Sequence, residues 1–134
     1  MSSRGSVIKN GHITTSEYKT NKVTSHGVKI LEGYGNNHSL PDYAHTPNSI
    51  YAKLKKDKKT LHEMRFYDEK GYPIIEIAYH PEPPINNGSK APVVHFHMLD
   101  ERLNRYYKDT IKNHPDIKEK YLDYLKEFDL YDKC

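Results

Sequence analysis

The sequence predicts an α+β domain: an antiparallel sheet of about four strands, spanning residues 48 to 99, packed against two C-terminal helices. Three observations predict it. Short runs of alternating apolar and polar side chains occupy the middle of the chain. Stretches rich in Gly, Asp, Lys or Pro punctuate those runs. Beyond residue 100 the apolar spacing changes from every second residue to every third or fourth. The 134 residues suit one such domain, and with 35% apolar side chains its core can occupy only part of the chain.

Residues 1–45 are rich in Ser, Thr, Asn, Gly and His. They are expected to form a flexible arm in which "HGVKILEGYG" suits one short strand, leaving residues 46–134 as the domain proper. In "TPNSIYAKLKK", Ile50, Ala52 and Leu54 alternate with Tyr51 and Lys53, the pattern of a half-buried strand. "KDKK" turns the chain into a second strand, "TLHEMRFYD". "DEKG" turns it again, with Gly71 suited to positive φ. "YPIIEIAYH" is the third strand, and a tight hairpin there pairs Arg65 with Ile74 and Glu63 with Glu76. "PEPPINNGSK" reads as a loop because proline cannot donate to a strand ladder, and "PVVHFHML" is the fourth strand. Asp100 suits the N-cap of a first helix carrying Leu103, Tyr106, Tyr107 and Ile111. "NHP" ends it, and Pro115 opens a second helix with Ile117, Tyr121, Tyr124, Leu125 and Phe128 as its apolar stripe.

Side-chain parity sorts the strands into two faces. Met64, Phe66, Ile75, Ile77, Val94, Phe96 and Met98 share the core face. Arg65, Tyr67, Glu76, His80, His95 and His97 fall on the other, a convergent set of titratable groups. Three readings of that set stand side by side: an ordinary polar sheet face, an acid/base site, and a metal site. For RNA cleavage, His80, His95 and His97 supply acid and base near neutral pH, Arg65 a phosphate clamp, and Tyr67 a donor or a stacking ring. Lys53, Lys55, Lys56, Lys58 and Lys59 would attract the polyanion. For a metal, His80, His95 and His97 are ligand types, with Glu76 as ligand or base. Neither thiolate nor Asp joins the cluster, so no essential metal or other cofactor is expected.

Net charge is only +3, with twelve tyrosines and three phenylalanines, which favours half-wet contact surfaces. The one cysteine, Cys134, excludes an internal disulfide, and a reducing cytoplasm is the expected compartment. No apolar run is long enough to span a bilayer, and the N-terminus lacks a signal-peptide core, so no membrane partner is expected.

The elements T-P-N-S, R-x-Y-D-x-x-G, I-x-Y and H-x-H occur in order over residues 46–97. This cassette resembles one found in phage proteins and in the tips of bacterial polymorphic toxins. Thr46, Pro47, Asn48, Ser49, Arg65, Tyr67, Asp68, Gly71, Ile77, Tyr79, His95 and His97 fit it, whereas Glu76 stands where Asp is usual and Pro81 follows His80 in place of Gly. The resemblance implies a small phage or mobile-element protein, and such toxin tips include ribonucleases; joined to the histidine face, the expectation is a toxin-like, metal-independent ribonuclease site. A chain beginning at Met1 without a delivery segment is expected to act inside the host cell. The alternative is a non-enzymatic inhibitor of a host defence complex, like an anti-CRISPR protein. Expected partners are accordingly RNA or a host protein complex.

Overall fold

A computed structural model describes residues 7–9, 12–14, 18–33, 40–44 and 46–134. The chain forms β1 (Val7–Lys9), β2 (His12–Thr14), β3 (Tyr18–Val23), β4 (Lys29–Gly33) and β5 (Tyr43–Ala44). There follow β6 (Ile50–Leu54), β7 (Leu61–Tyr67), β8 (Pro73–Pro81), β9 (Pro92–Leu99) and β10 (Arg105–Thr110). A 3-10 turn at Ile111–Asn113 leads to α1 (Pro115–Lys120) and α2 (Leu122–Glu127), and a second, Tyr131–Lys133, ends the chain.

The class is α+β, as expected, with more strands than expected. Seven strands form the main sheet in the order β10-β9-β8-β7-β6-β4-β3, and β2-β1-β5 form a small second sheet. Among the described residues only β4 and β6 run parallel, pairing Lys29 with Tyr51 and Ile30 with Ala52. The arm expected over residues 1–45 falls partly outside the described residues. Of those described, β3 and β4 extend the main sheet, and Val28 and Ile30 enter its core.

The helices cover one sheet face. Met64, Phe66, Ile75, Ile77 and Phe96 are buried there against Ile111, Tyr121, Leu125 and Leu130. The Phe66 ring lies 4.8 Å from that of Tyr121 and 5.0 Å from that of Tyr124, so the helical stripe is core contact. The opposite face has a smaller core of its own, made by Leu31, Leu40, Ala44, Tyr51 and Tyr67.

Two expectations are corrected. The segment after Asp100 is a hairpin into β10 and contains no α-helix. Leu103 has φ 67, which a helix interior does not allow, and the Asp100 carboxylate accepts the Arg102 and Asn104 amides to close the turn. Tyr106 and Tyr107 are accordingly 63% and 44% exposed, outside the core. The second correction is register: Arg65 pairs with Glu76 and Glu63 with Ala78, two residues from the hairpin expected. A bulge between Phe66 and Tyr67 and a longer turn account for the shift. In that turn Asp68 Oδ1 accepts the amides of Lys70 and Tyr72, at 2.8 and 2.9 Å. A shift of two preserves parity, so the face assignments hold.

Among the described residues, no helix is long and apolar enough to cross a membrane.

Candidate functional site

The pairing of β8 with β9 assembles the site: Glu76 lies opposite His97, Ala78 opposite His95, and His80 opposite Val93. β7 adds Arg65 beside Glu76, and β10 adds Lys108 beside His97. Five of the six residues expected in the cluster therefore stand on neighbouring rungs of three strands. Tyr67 is the exception, its ring buried in the smaller core 5.1 Å from Tyr51.

This face is not a solvated one. Arg65, Glu76, His95 and His97 are all buried. Glu76 is the hub. Its Oε2 accepts Arg65 Nε at 2.9 Å and Nη2 at 2.5 Å, while its Oε1 accepts Arg105 Nη2 at 3.1 Å. His97 Nδ1 lies 3.5 Å from the same Oε1. Burial works to raise the Glu76 pKa, but the His97 contact and the Arg65 and Arg105 charges overcome it and bring it to about 2. Arg65 gives its remaining contact to the carbonyl of Pro41, which Tyr67 also reaches through its hydroxyl. Each of its three guanidinium nitrogens thus has a partner inside the protein, and the group is turned from solvent.

His95 is wholly enclosed. Its Nδ1 lies 2.9 Å from the carbonyl of Val93, which fixes that nitrogen as the donor. Its Nε2 faces Glu82 Oε2 at 3.3 Å without hydrogen-bond geometry. Burial is the largest cause lowering its pKa to about 4, the Val93 contact opposes it, and the neighbouring His80 and His97 lower it further. His80 is half-buried, its ring edge-on to His95 at 4.6 Å and stacked on His62 at 5.0 Å. Its Nδ1 contacts the carbonyl of Pro81 at 3.0 Å.

Glu82 joins these groups from the proline-rich segment, which is more ordered than its composition suggests. The amides of Ile85 and Asn86 donate to the Glu82 carbonyl, winding the chain into successive turns that hold Glu82 over the sheet. Glu82 Oε2 is 3.9 Å from His97 Nε2, and its Oε1 is 3.7 Å from Lys108 Nζ.

An open pocket of about 600 Å³ lies over this arrangement. Glu63, Glu76, Glu82, His80 and His97 form one part of its wall, and Arg105, Lys108, Tyr106 and Tyr107 of β10 the other. Glu63 is half-buried, and burial followed by the nearby Glu76 charge raises its pKa. The pocket therefore combines two cations with a carboxyl whose pKa burial raises and with the largely buried His97 ring in its wall.

The lysine run divides. Lys56, Lys58 and Lys59 are exposed at the β6–β7 turn, where the Asp57 carboxylate accepts the Lys59 and Thr60 amides. Lys53 and Lys55 stand nearer the sheet, Lys53 paired in register with Glu63 and Lys55 Nζ 4.5 Å from the Tyr79 ring.

Glu82, Arg105, Lys108, Glu63 and His62 are absent from the expected set. Glu63 shares parity with Arg65, a visible signal. Glu82 follows His80 by two residues, but proline composition masks that spacing. Arg105 and Lys108 were hidden by the helical reading of their segment. No protein-family model, curated protein or solved structure matches this chain.

Proposed function

We propose that this chain is a small ribonuclease of phage or mobile-element type, acting at the β8–β9–β10 pocket. The observation that carries the reading is the juxtaposition of His97, its Nδ1 3.5 Å from Glu76 Oε1, with the unburied cations Arg105 and Lys108 of β10. In this reading His97 takes the proton of a ribose 2′-hydroxyl, with Glu76 orienting its ring. Glu63, whose burial favours the protonated form, gives a proton to the leaving 5′-oxygen. Arg105 and Lys108 hold the phosphate, the role expected from sequence for Arg65, whose guanidinium Glu76 and Pro41 occupy. Lys56, Lys58 and Lys59 draw in the strand by long-range attraction.

Incubation of the purified protein with end-labelled RNA tests this. His97→Ala is expected to slow cleavage about 10²–10⁴-fold. Lack of cleavage by the unaltered protein, or full activity in His97→Ala, overturns the proposal.

One observation favours a second reading. Tyr106 and Tyr107 are exposed on β10, which is an edge strand of the main sheet among the described residues. An edge strand bearing tyrosines suits strand addition by a protein partner, the mode of a defence-complex inhibitor. Co-purification of one stoichiometric protein from host cells, abolished by Tyr106→Ala, together with RNA left intact, selects it.

A further inference from the structure

We propose that His80, Glu82 and His95 bind a divalent transition metal of the zinc class. One ligand atom from each lies within 4.8 Å of the other two. The decisive atom is His95 Nε2, which is wholly buried and has no hydrogen-bond partner. Because Nδ1 points its proton at the Val93 carbonyl, Nε2 presents a lone pair. That lone pair faces the Glu82 carboxylate oxygen at 3.3 Å. As they stand the two atoms repel, and a metal cation between them would turn that repulsion into attraction to both. Tetrahedral zinc with bonds of about 2.0–2.1 Å separates neighbouring ligand atoms by about 3.3–3.4 Å, which matches.

The surrounding contacts have the same character. His80 also directs Nδ1 at a backbone carbonyl, that of Pro81, leaving Nε2 as its ligand atom. Imidazoles anchored in this way through their second nitrogen are the usual outer support of a metal site. Lys108 lies 3.7 Å from the second carboxylate oxygen of Glu82 and restrains it. Two imidazoles and one carboxylate suit zinc, cobalt or nickel, whereas magnesium and calcium prefer oxygen ligands alone. Three protein ligands leave a coordination position free, and His80 and Glu82 both line the pocket into which it would open. The proposal stands apart from the proton-transfer roles of His97 and Glu63 and replaces the expectation of a metal-free cluster. A second group, His62, Glu63 and His80, shares one ligand but contains no buried, unpartnered atom.

The test uses the full chain, purified without metal-affinity resin and stripped by a chelator. Zinc chloride is titrated by calorimetry, and cobalt chloride by visible absorption. Zinc is expected to bind saturably, and cobalt to develop the intense visible bands of a four-coordinate site. His95 is so enclosed that its replacement endangers folding, so the variants are Glu82→Gln and His80→Ala, both at half-buried positions. Each should weaken zinc by more than the about 10–100-fold typical of losing an outer partner, while His62→Ala leaves affinity unchanged. The proposal is overturned by absence of saturable zinc binding, by undiminished affinity in Glu82→Gln, or by loss in His62→Ala with Glu82→Gln unaffected.

Discussion

Glu76 shows what one buried carboxylate costs and what it organises. It is 1% exposed and is held as an anion by Arg65, Arg105 and His97. Removing its buried partner Arg65 takes away much of the compensation for that enclosed charge, a loss of about 3–5 kcal/mol for a buried pair. Arg65→Met is therefore expected to lower the urea midpoint strongly, whereas Arg105→Ala, at the wet rim, should cost about 1 kcal/mol or less. The same residue sets a pH dependence. Its folded pKa of about 2 lies below the ordinary 4.5, so the stability it contributes is complete above about 4.5 and lost as pH falls toward 2. Urea midpoints recorded across that window should fall more steeply for the unaltered protein than for Glu76→Gln. Parallel slopes would show that other carboxylates carry the acid sensitivity.

At the scale of the element, turns decide what the strands present. Gly71 has φ 87, and a Cβ there would stand 1.9 Å from the carbonyl oxygen of Ala44. That carbonyl belongs to β5, whose Ala44 amide donates to the Gly71 carbonyl at 2.8 Å. The β7–β8 turn thus carries the β5 segment. From there Pro41 reaches Arg65, and Leu40 and Ala44 enter the smaller core. Gly71→Ala should cost the left-handed penalty of about 1–2 kcal/mol and a clash besides, lowering the thermal midpoint. The β6–β7 turn is the contrasting case, since its lysines are solvated. Lys56→Glu with Lys58→Glu should leave the thermal midpoint nearly unchanged but flatten the salt dependence of RNA affinity, measured by filter binding. An unchanged salt slope would remove the hairpin from any RNA-binding surface.

Over the whole molecule, the helices and the sheet share one core, with Leu125 enclosed against residues from both. Leu125→Ala should cost about 2–5 kcal/mol, and unfolding followed by far-ultraviolet dichroism and by tyrosine fluorescence should remain coincident. Period-two alternation alone determined β6 through β9 and placed His95 and His97 on the face of Arg65 and Glu76, because parity survives a register shift of two. The apolar stripe from Ile117 to Phe128 likewise determined that this segment covers the opposite face, although the single helix expected is broken at Tyr121 into α1 and α2. Tertiary structure decided what alternation cannot encode. Tyr106 and Tyr107 have helical spacing with Leu103 and Ile111, but a left-handed Leu103 and the Asp100 turn make Arg105–Thr110 a strand, which brings Arg105 and Lys108 to the site. Whether the polar face met water depended on Pro41, 24 residues from Arg65, and on Glu82, which the β8–β9 loop folds back toward His95. Strand periodicity assigns side chains to a face. It carries no information about which distant segment closes over them, and that closure is what encloses His95 and turns Arg65 inward.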